Sequence, residues 1–286
     1  MSNFPLISVI INCFNGGKFL KEAIESVIGQ TYQNWEIIFW DDQSTDESAN
    51  IVKSYADNRI HYFLSDSRTN LGMARKLALE KAKGEWIGFL DCDDSWNKDK
   101  LYNQIEILNN SRIERNKIGI IYGRTEYIDS GGNILQMGSP NQARILPEGQ
   151  IFQKLILEDN FISMVSALYL KKALIKNTEN IEAFSFSPDY FINCGIAKSY
   201  QVIALQKKCC KYRIHEGSMS SGEKRTKVLR EDLEILKYRT ENYQISNIKL
   251  QRKFQKLNTV IALHKIMEGQ IFEGLSKFLK DGSFFF

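Results

Sequence analysis

The 286-residue sequence contains no run of roughly 18 uncharged apolar residues, the length a membrane-crossing helix needs. Its first residues, MSNFPLISVIINC, lack the basic stretch and long apolar segment of a signal peptide. A cytoplasmic location is therefore expected, with contact at the inner face of the membrane left open. The five cysteines, Cys13, Cys92, Cys194, Cys209 and Cys210, are odd in number and irregularly spaced. They match neither a secreted disulfide framework nor a CxxC metal site, so free thiols are expected. Net charge is only +4, too small by itself to imply a nucleic-acid partner, and none is expected. No internal repeat or low-complexity segment is present.

What is present is the balance of a globular chain, with 43% apolar and 25% charged residues. Charge is distributed unevenly, with −1 over residues 1–222 and +5 over 223–286. The expected organisation is a domain over 1–222, in halves 1–100 and 101–222, followed by a basic helical extension over 223–286. Apolar, β-branched runs at 6–13, 35–40, 59–64 and 86–90 read as strands, the first two buried on both faces. Helical spacing over 19–28, 47–56 and 73–83 separates them, which predicts a parallel α/β unit with right-handed crossovers. Further on, the pattern predicts helices over 101–109, 155–170 and 189–198 and strands over 118–122, 201–205 and 210–214. Ser130-Gly131-Gly132-Asn133 reads as a hairpin turn. Beyond Gly222 the pattern is helical, with stripes at Leu229, Leu233, Leu236 and Tyr243, then at Leu257, Ile261, Leu263 and Ile266.

Ligands of open parallel sheets bind beyond the carboxyl ends of the strands, so polar residues there are the first candidates for chemistry. Asp41 and Asp42 follow the second strand, and Asp91, Asp93 and Asp94 follow the fourth. Three carboxylates within four residues repel one another, and a nearby cation relieves that repulsion. Oxygen ligands of this kind suit Mg²⁺ or Mn²⁺.

The motifs ISVIINCFN, FWDDQSTD, NLGMARKLALEKAKGEWIGFLDCDDSW, FSPDYF and YRIHEGSMS, in that order, resemble family 2 of the inverting, nucleotide-sugar-dependent glycosyltransferases. The resemblance runs over the chain up to about residue 220. It implies a GT-A fold, an α/β architecture with a Rossmann-like, mostly parallel central sheet flanked by helices. Residues 1–100 would be the nucleotide-binding half and 101–222 the acceptor half. In that frame Asn12, Cys13 and Phe14 form the first turn, with Phe14 near the nucleobase; the competing reading of Phe14 is a core residue. Asp42 matches the acid that accepts a hydrogen bond from the base edge, and a carboxylate favours the N3–H of uracil or thymine, hence a UDP-sugar. Arg75 falls where the family approaches the ribose or diphosphate; otherwise it is an exposed helix residue paired with an acid such as Asp66. Asp93 would coordinate Mn²⁺ or Mg²⁺ and Asp91 would support the ribose, or the metal through water. His215 would contact the metal or the diphosphate, and Ser218 and Ser220 would donate to phosphate from a closing loop.

Inversion at the anomeric carbon needs one base for the acceptor hydroxyl. The resemblance gives that role to Asp189, with Pro188 standing where the family carries a glutamate. The competing reading of Asp189 is a first-turn acid favoured by the helix dipole; there its carboxylate is expected to have a depressed pKa, which desolvation by bound acceptor and closure over the substrates would raise. Residues 123–186 should shape the acceptor pocket without naming the acceptor; the family suggests a glycan or lipid-linked glycan in surface polysaccharide synthesis and a hexosyl or N-acetylhexosaminyl donor. The basic tail reads as a peripheral membrane contact, a homodimer contact or a helical cap. Glu158 and Asp159 read as solvated surface, and His61 and His264 as structural. A nicotinamide dehydrogenase is excluded because Asn15-Gly16-Gly17-Lys18 lacks the GxGxxG spacing. A nucleotidyltransferase would carry a glycine-rich basic loop after the first strand, which is absent; it and a non-catalytic sugar-nucleotide or glycan binder stand as the alternatives.

Overall fold

The computed structural model describes residues 4–136, 145–218, 224–241 and 247–267. Its first half alternates as the apolar pattern requires: β1 (Ile7–Cys13), α1 (Gly17–Ile28), β2 (Trp35–Asp41), α2 (Ser48–Lys53), β3 (Ile60–Leu64), α3 (Leu71–Lys81) and β4 (Trp86–Phe89). The second half contains β5 (Ser95–Trp96), α4 (Lys100–Asn109), β6 (Ile118–Ile128), α5 (Phe152–Leu157), β7 (Leu168–Leu170), α6 (Lys171–Asn177), α7 (Pro188–Ser199) and β8 (Gln201–Arg213). Helices α8 (Lys224–Thr240) and α9 (Asn247–Met267) follow.

One eight-stranded sheet runs through the molecule in the order β3-β2-β1-β4-β7-β6-β8-β5. Strands β3, β2, β1 and β4 are parallel, whereas β7 runs antiparallel to both β4 and β6. Strand β1 is buried along most of its length and β2 along all of it, as expected for a sheet covered by helices on both faces. Strand β1 leads to β2 on one side and pairs with β4 on the other, so the sheet's direction of winding reverses there. The register carries Cys13 beside Asp41 and stops β4 opposite Ile10. The acids after β4 therefore emerge into the crevice at the reversal, where α/β sheets bind ligands.

Four expectations are corrected. Residues 155–170 are not one helix: α5 ends at Leu157, and a single 3-10 turn (Met164–Ser166) leads into β7. Leu168, Tyr169 and Leu170 are all buried between β4 and β6, and a short apolar run of that kind has no period that separates strand from helix. The two late strands are one, β8, and β6 extends to Ile128. The pairing of β6 with β8 slips at Gly123/Arg124 and Arg124/Thr125, where Gln206, Lys207 and Lys208 face solvent. That polar stretch, which reads as a break, lies at a bulge. The helix after β2 also covers only Ser48–Lys53.

Two contacts bring the halves together around the crevice. The Asn70 side chain caps α3 by accepting from Met73 N–H at 2.9 Å, and its amide donates to Glu182 O at 2.7 Å. Gly72 sits so close to residues 181–184 that a Cβ there would meet Ile181 O at 2.1 Å. Only glycine lets α3 approach the segment leading into α7 this closely. The C-terminal helices pack on the same side, α8 on α7 and α9 on α5 and α8. Leu229, Leu233, Leu236, Leu257 and Ile261 are buried there, whereas Leu263 is exposed and Tyr243 and the Ile266 side chain lie outside the described residues. Glu158 and Asp159 are exposed, as expected, and they also hold α9: buried Lys253 donates to Asp159 at 2.7 Å and to Glu158 O.

Candidate active site

The turns after β1 and β2 are laced together. Asn15, held at φ 52°, accepts from Thr45 N–H at 2.8 Å, and Gly17 N–H donates to Asp46 at 2.9 Å. Asp41 serves structure, accepting from Ser44 N–H at 2.8 Å and Tyr62 O–H at 2.7 Å. Asp42 lies one residue further into the crevice, and Thr69 donates to it through its backbone N–H at 3.0 Å and its hydroxyl at 3.0 Å. This fixes the carboxylate while its remaining lone pairs stay available. Phe14 is 37% exposed rather than core, and the Arg68 guanidinium lies over its ring at 3.4 Å. The amide nitrogen of Asn12 is buried without a hydrogen-bond partner.

Arg75 is not a surface residue of α3. It is only 4% exposed, and its partner is Asp91 at 3.2 Å rather than Asp66. Its Nε is buried and unpartnered. The Asp91 carboxylate is therefore neutralised on one side. Asp93 accepts from, or shares a proton with, His215 Nε2 at 2.9 Å. Gly217 N–H donates to His215 Nδ1 at 3.1 Å, which leaves the proton of a neutral ring on Nε2, directed at Asp93. Burial, and then the charge of Asp91, push the Asp93 carboxyl above its usual range, with His215 opposing. Asp94 is 1% exposed; it accepts from Arg213 N–H at 2.8 Å, and its Oδ2 has no partner. Burial, followed by the charges of Asp93 and Asp91, pushes its carboxyl well up.

Arg213 ends β8 and ties this cluster down. It donates through Nε to Asp93 O at 2.8 Å and pairs with Glu22 at 2.5 Å. The Ser218 hydroxyl is buried in the turn that follows, accepting from His215 N–H at 3.0 Å and donating to Arg213 O at 3.3 Å. These two bonds shape that turn; Ser220 lies outside the described residues.

Asp189 stands in the first turn of α7, behind Pro188, and accepts from Asn160 at 2.9 Å. Its carboxyl is raised, not depressed. Burial is the largest cause, and Arg75 opposes it while Asp91 adds to it. Desolvation thus outweighs the helix terminus, and Asp189 sits within the fields of the residues that follow β4 and line α3. The loop entering α7 is held by Glu231 of α8, whose carboxylate accepts from Ser185, Phe186 and Ser187 N–H at 2.9, 2.7 and 2.9 Å. Its neighbour Asp232 is pushed up to about 7 by burial, with Ser187 opposing and Asp189 adding. Asn160, Glu231 and Asp232 carry no local motif, and no spacing in the sequence signals them; Arg213 lies within YRIHEGSMS, but the motif gives it no role.

The described residues bring no three His, Cys, Asp or Glu side chains together as a metal cage. All five cysteines are free thiols.

An open α/β sheet with an acid cluster at its winding reversal, faced by a carboxylate at the start of a second-half helix, defines a GT-A-type glycosyltransferase. The model for Glycosyl transferase family 2 matches residues 8–177, more than half of the sequence, and the chain belongs to that family. Over 222 residues it is 30% identical to the Escherichia coli UDP-Glc:alpha-D-GlcNAc-diphosphoundecaprenol beta-1,3-glucosyltransferase WfgD, covering 76% of this chain and 81% of that protein. A shorter match, 40% over 111 residues, is to TuaG of Bacillus subtilis, a glycosyltransferase named for teichuronic acid biosynthesis; it covers 38% of this chain and 44% of TuaG. S. aureus TarS 1-349, solved in complex with UDP, shares the fold with a TM-score of 0.61 at 19% identity over 88% of this chain and 70% of that one. Mannosyltransferase PcManGT from Pyrobaculum calidifontis, solved with GDP-Man and Mn²⁺, has a TM-score of 0.61 at 15% identity over 98% and 76%.

Proposed function

We propose that this glycosyltransferase moves a hexosyl or N-acetylhexosaminyl group from a UDP-sugar to a hydroxyl of a glycan or lipid-linked glycan, with inversion, in the synthesis of a cell-surface polysaccharide. The observation that carries the reading is the placement of Arg75. It pairs with Asp91 beyond β4 and its charge also acts on Asp189, which supports donor-side acids and a desolvated carboxylate serving one reaction. Arg75 Nε and Asn12 Nδ2, both buried without protein partners, are donors suited to a ligand in that crevice. WfgD, named for UDP-Glc and a diphosphoundecaprenol acceptor, supports the choice of donor and acceptor class.

Donor recognition follows from the residues around β1 and β2. Phe14, partly exposed and covered by Arg68 on one face, offers its ring to the base, worth about 1–3 kcal/mol when stacked, and Asp42 accepts a base N–H. A divalent cation, Mn²⁺ or Mg²⁺, fits the acids present. Asp93 is a half-buried carboxylate aimed by His215, and a hard cation held by one or two carboxylates would complete its shell with substrate phosphate oxygens. Such an ion would supply neutralisation of charge on the departing nucleoside diphosphate. Asp91, engaged by Arg75, supports the donor rather than the ion.

Asp189 takes the proton from the acceptor hydroxyl as that oxygen attacks. Burial raises its basicity above that of a solvated aspartate, which strengthens the proton transfer as long as the group is ionised at the working pH. The test is Asp189→Asn: calorimetric affinity for UDP-glucose with Mn²⁺ stays within about twofold, while UDP release falls by at least about 10²-fold. Near-normal turnover removes Asp189 as the base.

A further inference from the structure

The carboxylate of Asp189 accepts from one side-chain amide, beside the backbone N–H groups of the first turn of α7, and that amide is the end of a chain of hydrogen bonds running into the core. Asn160 donates to Asp189 Oδ2 at 2.9 Å. Asn160 Oδ1 accepts from Asn193 Nδ2 at 3.1 Å, and the same nitrogen donates to Ile162 O at 3.0 Å. Asn193 Oδ1 in turn accepts from the Tyr169 hydroxyl at 2.8 Å. Asn193 and Tyr169 are completely buried, and Tyr169 packs edge-on against Phe89 of β4, the strand that carries the donor-side acids.

The direction of every bond in this chain is forced. An ionised carboxylate only accepts, so the Asn160 nitrogen must face it and its oxygen must face Asn193. Asn193 must then present its nitrogen to both Asn160 and the Ile162 carbonyl, which leaves its oxygen for the Tyr169 O–H. Neither asparagine can flip without placing like atoms together. A long, exposed side chain would let the base swing; this arrangement holds it in one rotamer from within the fold.

We propose that Asn160, backed by Asn193 and Tyr169, is the positioning residue for Asp189. This rests on Asp189 being the base. An N–H donor to the carboxylate favours its charged form, so Asn160 works with the backbone N–H groups of Asp189 and Tyr190 against the upward push of burial. The other charged or titratable groups facing Asp189 are Arg75 from α3, Asp91 after β4, Asp232 from α8, Tyr169 from β7 and Cys194 on its own helix. Among these, Arg75 is the one positive charge, and it is already paired with Asp91.

The experiment compares wild type, Asn160→Ala, Tyr169→Phe and Asp189→Asn. The Asp189 carboxyl is titrated by ¹³C NMR in protein labelled at aspartate and assigned by its loss in Asp189→Asn. UDP release from UDP-glucose with Mn²⁺ is followed over the same pH range. In Asn160→Ala the Asp189 pKa rises by about one unit, a tenfold shift in its protonation equilibrium. The acid limb of turnover moves with it, kcat falls by about 10- to 100-fold, and the affinity for UDP-glucose stays unchanged. Tyr169→Phe shows the same signs at smaller size. An unmoved Asp189 pKa in Asn160→Ala overturns the proposal. If Asp189→Asn turns over normally while Asn160→Ala still moves the pKa, the contact stands and the base assignment fails instead.

Discussion

Glu231 lies in the C-terminal extension, yet its carboxylate accepts three consecutive backbone N–H groups from the loop that enters α7. Replacing it by alanine strands all three donors in a partly buried site. Hydrogen bonds to a charged acceptor contribute about 1.5–3 kcal/mol each, and water recovers part of the loss where the loop is exposed, so Glu231→Ala should cost about 3 kcal/mol. A matched control is available one turn along. Glu234 is exposed and pairs only with exposed Lys237 at 2.9 Å, so Glu234→Ala should cost about 0.5 kcal/mol or less. Reversible urea unfolding followed by tryptophan fluorescence measures both from the midpoint at constant slope. Loss of the clamp also loosens Ser187 and Pro188, so turnover in Glu231→Ala should fall while UDP-glucose affinity holds. A Glu231→Ala variant no less stable than Glu234→Ala would refute the reasoning and make α8 a passive cover.

Two further outcomes follow from other parts of the fold. Lys100 is fully buried over the Trp96 ring, and burial lowers its pKa from 10.5 to about 8. Below about pH 8 the folded state carries a charge it disfavours, so stability should rise between pH 8 and 10.5, by about 2–3 kcal/mol. Lys100→Met should abolish that rise, as read from thermal melts across the range, while leaving buried Gln104 Oε1 without its donor. Helix α9 has no acidic residue and exposes Lys249, Arg252 and Lys256. At about 1 kcal/mol per basic residue near an anionic surface, it should sediment with phosphatidylglycerol vesicles at low salt; the triple alanine variant should not, and neither protein should bind phosphatidylcholine vesicles.

The parallel half of the sheet was legible because β1, β2 and β4 are buried along most or all of their length and each connection is a short helix, so apolar runs mark the strands directly. The acidic turns after β2 and β4 were legible for the same reason, since chemistry in such sheets collects at strand ends. The second half was less so. Strand β7 owes its existence to the slot between β4 and β6, and β8 passes through a bulge at Gln206–Lys208 that presents charged residues to solvent. Both are decided by tertiary pairing rather than by local pattern. In the site, Asp93, Asp189 and His215 were visible through their motifs, but their surroundings were not. The partner of Arg75, the direction of the Asp189 pKa and the roles of Asn160, Glu231 and Arg213 depend on contacts between residues 16 to 191 positions apart. The helix terminus alone argued for a depressed Asp189; the burial that reverses it comes from segments distant in sequence.

The most direct measurement is titration calorimetry of UDP-glucose into wild type and Asp93→Ala, each with Mn²⁺ and with EDTA, with unfolding midpoints recorded alongside. Wild type should bind the nucleotide sugar with Mn²⁺ and lose at least tenfold in affinity in EDTA, and Asp93→Ala should be as weak with Mn²⁺ as wild type is without it while keeping its fold. Binding that is indifferent to both the ion and Asp93 would contradict the assignment of the crevice beyond β4 as the site that grips the donor's diphosphate.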